Sequence, residues 1–227
     1  MLQDKMMNCM TVIVGKAVSA SGRVLVAHNE DDSGHVIVRH AIVPAADHAS
    51  GELIPAEKGL ARIPQVPHTL GYYWVEYVKD EGGFTAADAY LNECGVVITS
   101  NSMGWSKEDD DDPNVVKDGG IGYVLRRALA ERAHTAREGA HVLMALIDEW
   151  GYAPSGRAYT IADKNEAWIM ELIGKGNSTN DPSRKGIVWV ARQIPDGYVS
   201  AHANQARITN IPKNDPTCLY SEDVISF

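Results

Sequence analysis

The stretch Cys9-Met-Thr-Val-Ile-Val-Gly-Lys16, followed by Ser21-Gly-Arg-Val-Leu-Val-Ala-His-Asn-Glu-Asp-Asp32, constrains the chain more than any other. Thr11 to Val14 is an apolar, β-branched run, Ser21-Gly22 supplies turn chemistry, and Val24 to Ala27 resumes the run, so the stretch reads as a β-hairpin. A hairpin brings its two open ends together. Cys9 therefore falls within reach of His28, Asn29 and Asp31, a thiol facing an imidazole, an amide and a carboxylate across about twenty residues of sequence. Two readings of Cys9 stand at this point, a buried strand cysteine and a nucleophile.

Only eight residues precede Cys9. Cutting the Asn8–Cys9 bond would free an α-amine beside the thiol. With unperturbed pKa values near ~8 for the amine and ~8.5 for the thiol, that amine can serve as general base at neutral pH. Residues 1–8 then read as a leader or propeptide, and 9–227 as the domain, or the N-terminal part of one, that carries the nucleophile.

Charge and cysteine count narrow the function classes. Thirty acidic against 21 basic residues give a net charge of −9, with no basic block, which argues against nucleic acid as a partner. No apolar run approaches the ~18 residues of a spanning helix and Met1 to Asn8 lacks a signal peptide's apolar stretch, so the expectation is a cytoplasmic protein with no membrane partner. Cysteines at 9, 94 and 218 are odd in number and show no C-x-x-C spacing, so no disulfide framework or metal site is expected. No glycine-rich phosphate motif occurs, and no cofactor is expected.

Further strands are read at Val36 to Val43, at the aromatic run Tyr72 to Val78, and at Val96 to Ser100. Ala89 to Gly95 reads as the turn feeding the last of these, which delivers Asn101-Ser102 at its end. That pair suits either an amide placed over a site or a simple turn. Asp109 to Asp112 resembles a calcium loop in charge only, lacking the glycine and terminal glutamate of an EF-hand. Apolar residues at 121, 124, 125, 128 and 129 predict a helix over 120–133 whose basic residues form a solvated face. Thr135-Ala-Arg-Glu138 is a capping box opening a second helix, Ala136 to Trp150, which stops at Gly151. Arg157 to Ala162 and Ala167 to Ile173 form a second hairpin about Asp163-Lys-Asn165, and strands follow at Gly186 to Ala191 and Tyr198 to Ile208. Strands, two helices, then strands again, without βαβ repeats, predict an α+β fold.

Several stretches resemble one known group. Cys9 to Lys16, Val26-Ala-His-Asn-Glu-Asp-Asp32, Leu91-Asn-Glu-Cys-Gly-Val-Val97, Ala162 to Trp168, Leu219 to Phe227 and above all Ile194-Pro-Asp-Gly-Tyr-Val-Ser-Ala-His-Ala-Asn-Gln-Ala-Arg-Ile208 are similar to the cysteine dipeptidases of the N-terminal-nucleophile superfamily. That group, the dipeptidase D family, is related to the secernins and to the bile-salt and penicillin V amidases. The resemblance implies a four-layer αββα sandwich, truncated at its C-terminus on one reading because family members are usually much longer. It implies that Cys9, exposed by removal of residues 1–8, attacks a dipeptide or small amide and forms a thioester. Asp31 matches the acid that holds the free α-amine, with Asp32 as the alternative register; Asn204 matches the oxyanion donor, and Asn101 a second donor near it. His28 stands where related amidases carry an arginine beside the nucleophile. A late arginine of those amidases has no counterpart, and Arg207 is the residue available to replace it in substrate binding. The implied partner is a small peptide substrate, and relatives suggest a homo-oligomer. The alternatives are an amidase or acyltransferase on the same scaffold and a non-catalytic homologue acting by binding or assembly.

Overall fold

The computed structural model describes residues 9–30, 37–78, 87–103, 118–153, 156–174 and 186–226. Among these described residues, thirteen strands and two helices occur in the order β1 (Met10–Val14), β2 (Leu25–Asn29), β3 (Ile37–Val43), β4 (Ala46–Asp47), β5 (His68–Thr69), β6 (Tyr72–Val78), β7 (Ala87–Asn92), β8 (Val97–Ser102), α1 (Val124–Arg132), α2 (Ala136–Trp150), β9 (Gly156–Ala162), β10 (Ala167–Gly174), β11 (Ile187–Gln193), β12 (Val199–His202) and β13 (Cys218–Tyr220).

The strands form a large antiparallel sheet, β13-β11-β10-β9-β8-β7-β6-β3, a small one, β12-β1-β2, and the minor pair β4-β5. Both helices pack on the large sheet, α1 over β7 and β8, α2 over β9, β10 and β11. Leu125, Leu129, Leu143 and Ile147 there meet Ile98, Ile161, Trp168 and Met170. A second cluster, Ile13 with Ala162, Ala167 and Ile169, joins the small sheet to the other face of the large one. The layer order is therefore helix, sheet, sheet, which is the expected αββα sandwich without its outer helical layer among the described residues. The small sheet's outer face carries Met10, Leu25 and Val199, each exposed.

Strand alternation decides which side each residue serves. On β8, Ser100 bonds to Arg126 of α1, while its neighbour Asn101 bonds to Thr11 of the small sheet. On β9, Tyr159 faces the helices and Thr160 faces His202. Every residue of β9 is buried, because both faces of that strand are covered.

The second helix begins as its capping box requires, with the Thr135 hydroxyl accepting from the Glu138 N–H. The Glu138 carboxylate returns to the backbone N–H of His134. Three sequence expectations are corrected. The stretch Ala89 to Asn92 is strand rather than turn, since β7 pairs with both β6 and β8 and only Glu93 and Cys94 make the turn. β12 ends at His202 instead of running to Ile208, and β13 adds an edge strand against β11. The basic residues of α1 are not a solvated face. Arg126 is fully buried, its Nε donating to Ser100 Oγ at 2.7 Å and its guanidinium lying 4.5 Å from the Tyr123 ring centroid.

Candidate active site

The hairpin's open end lies over β8, between the two sheets. Its turn uses Gly22 at a φ of 65°, a left-handed conformation that glycine adopts without steric cost. The register pairs Thr11 with His28 on one side and with His202 on the other, so these three residues form one row across β12, β1 and β2. Period two then sends Cys9, Thr11 and Ile13 to the inner face, and all three are buried.

A continuous hydrogen-bonded chain starts at the thiol. Cys9 Sγ donates to Glu30 Oε1 at 3.3 Å. The other carboxylate oxygen lies 3.2 Å from His28 Nε2, with both side chains largely shielded. His28 Nδ1 is 2.8 Å from Thr11 Oγ1, and that hydroxyl donates to Asn101 Oδ1 at 2.7 Å. Asn101 is fully buried, and its Nδ2 has no hydrogen-bond partner among the described residues.

Beside this chain His202 is 3% exposed, with Nε2 at 3.3 Å from Thr160 Oγ1. Burial first, then the neighbouring His28 and Arg207, push its pKa down to about 4, so it is neutral at physiological pH. Glu171, 2% exposed, accepts the backbone N–H groups of Arg207 and Ile208 and fixes the chain leaving β12. Its carboxyl is held above the usual range by burial, against those hydrogen bonds and the Arg207 charge.

Of the residues singled out in the sequence, Cys9, His28 and Asn101 come together in this chain. Asn204 is separate from it in hydrogen bonding, its Nδ2 donating to Ser102 O at 2.8 Å. Because Ser102 directly follows Asn101 on β8, Asn204 is tied to the same strand end. The Arg207 side chain is exposed. Asp31, its alternative Asp32, residues 1–8 and the acidic run at Asp109 lie outside the described residues. Asn29 lies on the other face of β2. It pairs with Met10 and is exposed, because alternation along β2 places 28 and 29 on opposite faces.

Sequence reasoning missed Glu30, Thr11 and His202. For Glu30 the signal was present: two residues beyond His28, it shares that residue's face, and the hairpin closes it onto Cys9. Thr11 and His202 required the β1–β12 pairing, which joins residues far apart in the chain.

As chemistry, the arrangement offers a thiol, a carboxylate at its hydrogen, an imidazole and an amide N–H held in a water-poor space between sheets. No helix among the described residues is long and apolar enough to cross a membrane.

Several known proteins resemble this chain. A probable dipeptidase of Salmonella dublin is 27% identical over 226 residues, covering 98% of this chain and 49% of its own length. A probable dipeptidase of Latilactobacillus sakei is 25% identical, covering 96% and 44%, and a dipeptidase of Bifidobacterium longum is 27% identical, covering 97% and 42%. The chain thus spans just under half the length of these curated relatives. Among solved structures, a penicillin V acylase from Agrobacterium tumefaciens overlaps 86% of this chain and 49% of its own, at a TM-score of 0.44 and 14% identity. Residues 8–227 match peptidase family C69, and the chain belongs to that family.

Proposed function

We propose that the protein is a cysteine-type hydrolase of dipeptides or closely related small amides, with Cys9 as its nucleophile once residues 1–8 are removed. The observation that carries the reading is the seating of Cys9 on the inner face of the hairpin, where its thiol heads a polar chain ending in the buried amide of Asn101. Membership of peptidase family C69 and the dipeptidase names of its relatives supply the substrate class.

In this mechanism the freed α-amine takes the thiol proton and Sγ attacks the peptide carbonyl. The carbonyl oxygen becomes an oxyanion, the amine leaves with a proton, and water hydrolyses the resulting thioester. Asp31 holds the α-amine, as the family resemblance implies. Asn101 Nδ2 and the second Nδ2 hydrogen of Asn204 donate to the oxyanion. His28, standing where related amidases carry an arginine, and Arg207 contact the substrate, Arg207 receiving its carboxylate. Losing one oxyanion donor costs about 3 to 4 kcal/mol in the transition state, so Asn204→Ala loses roughly 10²–10³-fold in kcat.

The test is hydrolysis of a dipeptide panel by wild type, Cys9→Ala and Asn204→Ala, with acid quench to trap the thioester. Hydrolysis by wild type, none by Cys9→Ala and a roughly 10²–10³-fold slower rate for Asn204→Ala, with the mass of the substrate's acyl part alone added to the Cys9 peptide, supports the reading. Equal hydrolysis by Cys9→Ala refutes it.

A further inference from the structure

The hydrogen-bonded chain has a direction, and that direction is set by a proton. Thr11 Oγ1 carries one hydrogen and gives it to Asn101 Oδ1. Its contact with His28 Nδ1 at 2.8 Å is then made with the ring nitrogen as donor. His28 Nε2 faces a carboxylate oxygen of Glu30, an acceptor, and must also donate. In this direction both nitrogens donate, which requires His28 to carry both ring protons, and the amide of Asn101 then presents its N–H end.

The opposite direction satisfies the same contacts with one proton fewer. Nδ1 releases its proton to water and accepts from Thr11, Nε2–H stays on Glu30, and Asn101 turns over so that Nδ2 donates to Thr11 Oγ1. The amide then presents its carbonyl end. No other arrangement of Thr11's single hydrogen serves both neighbours.

We propose that protonation of His28, relayed through the Thr11 hydroxyl, decides whether Asn101 presents a hydrogen-bond donor or an acceptor to the space between the sheets. Thr11 and His28 are positioning residues in this scheme. The relay stands on hydrogen-bond geometry alone; its consequence for turnover rests on the reading of Asn101 as an oxyanion donor. The charged and titratable groups around His28 are Glu30 at Nε2, Cys9 on the far carboxylate oxygen, and His202 across Thr11, itself under the influence of Arg207. Thr11 and Asn101 are both fully buried, so solvent does not substitute for either partner.

The experiment is a pH titration of the full ¹⁵N-labelled chain by NMR, following the His28 ring nitrogens and the Asn101 side-chain amide in wild type, Thr11→Ser and Thr11→Val. In wild type and Thr11→Ser, His28 loses its Nδ1 proton and keeps Nε2–H, and the Asn101 amide resonances move with the same midpoint. In Thr11→Val, which keeps the branched shape but lacks the hydroxyl, His28 titrates and Asn101 stays still. An Asn101 amide that ignores His28 in wild type, or follows it equally in Thr11→Val, overturns the relay. If Thr11→Val fails to fold, Thr11→Ala gives the same hydroxyl-free comparison, and an Asn101 amide that ignores His28 in wild type still overturns the relay. Activity is a separate arm: kcat falls about 100-fold two pH units above the His28 midpoint, at constant KM. Coupled resonances with a flat kcat uphold the relay and remove Asn101 from the oxyanion role.

Discussion

Replacing Ile13 by alanine separates the small sheet's hold on Cys9 from the stability of the rest of the molecule. Ile13 is fully buried among Ala162, Ala167 and Ile169, with Val24, Val26, Ile194 and Ile208 at the margin. The substitution removes three carbons, worth roughly 2.4 kcal/mol at ~0.8 per methylene group. The cavity left between two rigid sheets raises the total to about 3–4 kcal/mol. Cys9 lies two residues away on the same face and is 1% exposed in the full-length chain, so in the uncut protein alkylation requires the small sheet to lift. At ~1.4 kcal/mol per factor of ten, the open population, and with it the iodoacetamide rate at Cys9, rises by roughly 100-fold or more. The assay is site-resolved mass spectrometry in native buffer. Exposed Cys94 serves as the reference and buried Cys218, on β13 at the far edge of the large sheet, as the second reporter. Leu143→Ala, in the helix-facing core, supplies a variant of similar global cost. The reasoning predicts a selective rise at Cys9 in Ile13→Ala. An unchanged Cys9 rate, or equal rises at Cys9 and Cys218, refutes it.

Two other outcomes follow from buried polar groups. His202 is held at about 4 against an ordinary 6.5, so the unfolded chain binds its proton first as pH falls. Its neutrality therefore makes stability drop between those values, by up to roughly 3 kcal/mol. Urea midpoints for His202→Gln show a flatter acid limb than wild type; parallel curves would contradict this. Glu171, raised by burial, acts in the opposite sense and is common to both proteins, so the difference isolates His202. Asn92 is 3% exposed, with Nδ2 on Ala130 O and Ala133 O and Oδ1 on the N–H groups of Cys94 and Val96. Asn92→Ala leaves those four backbone groups without it and costs about 3–5 kcal/mol by denaturant unfolding; a loss below 1 kcal/mol refutes that account.

The sequence makes local structure legible where period and punctuation agree. Thr135 and Glu138 announce α2, and Gly151 ends it. The hairpin at Cys9 is readable from two apolar runs and one turn, and with it the convergence of Cys9 and His28. Pairings between distant segments are not readable in this way. β7, Ala-Asp-Ala-Tyr-Leu-Asn, lacks a β-branched residue and is strand only because β6 and β8 flank it. β13 is three residues long and exists only as an edge to β11. Arg126 resembles any basic helical residue until Ser100 and Tyr123 enclose it. In the site, Glu30 follows from alternation, whereas the role of Thr11 appears only when β8 brings Asn101 beneath it, ninety residues along the chain.

The most direct measurement is the intact mass of the purified chain before and after incubation at neutral pH, with Cys9→Ala in parallel. Loss of residues 1–8 by wild type, with the full mass retained by Cys9→Ala, is the predicted result. It would place a self-generated α-amine beside the thiol. A wild-type chain that keeps its full mass through the incubation would contradict the N-terminal-nucleophile account.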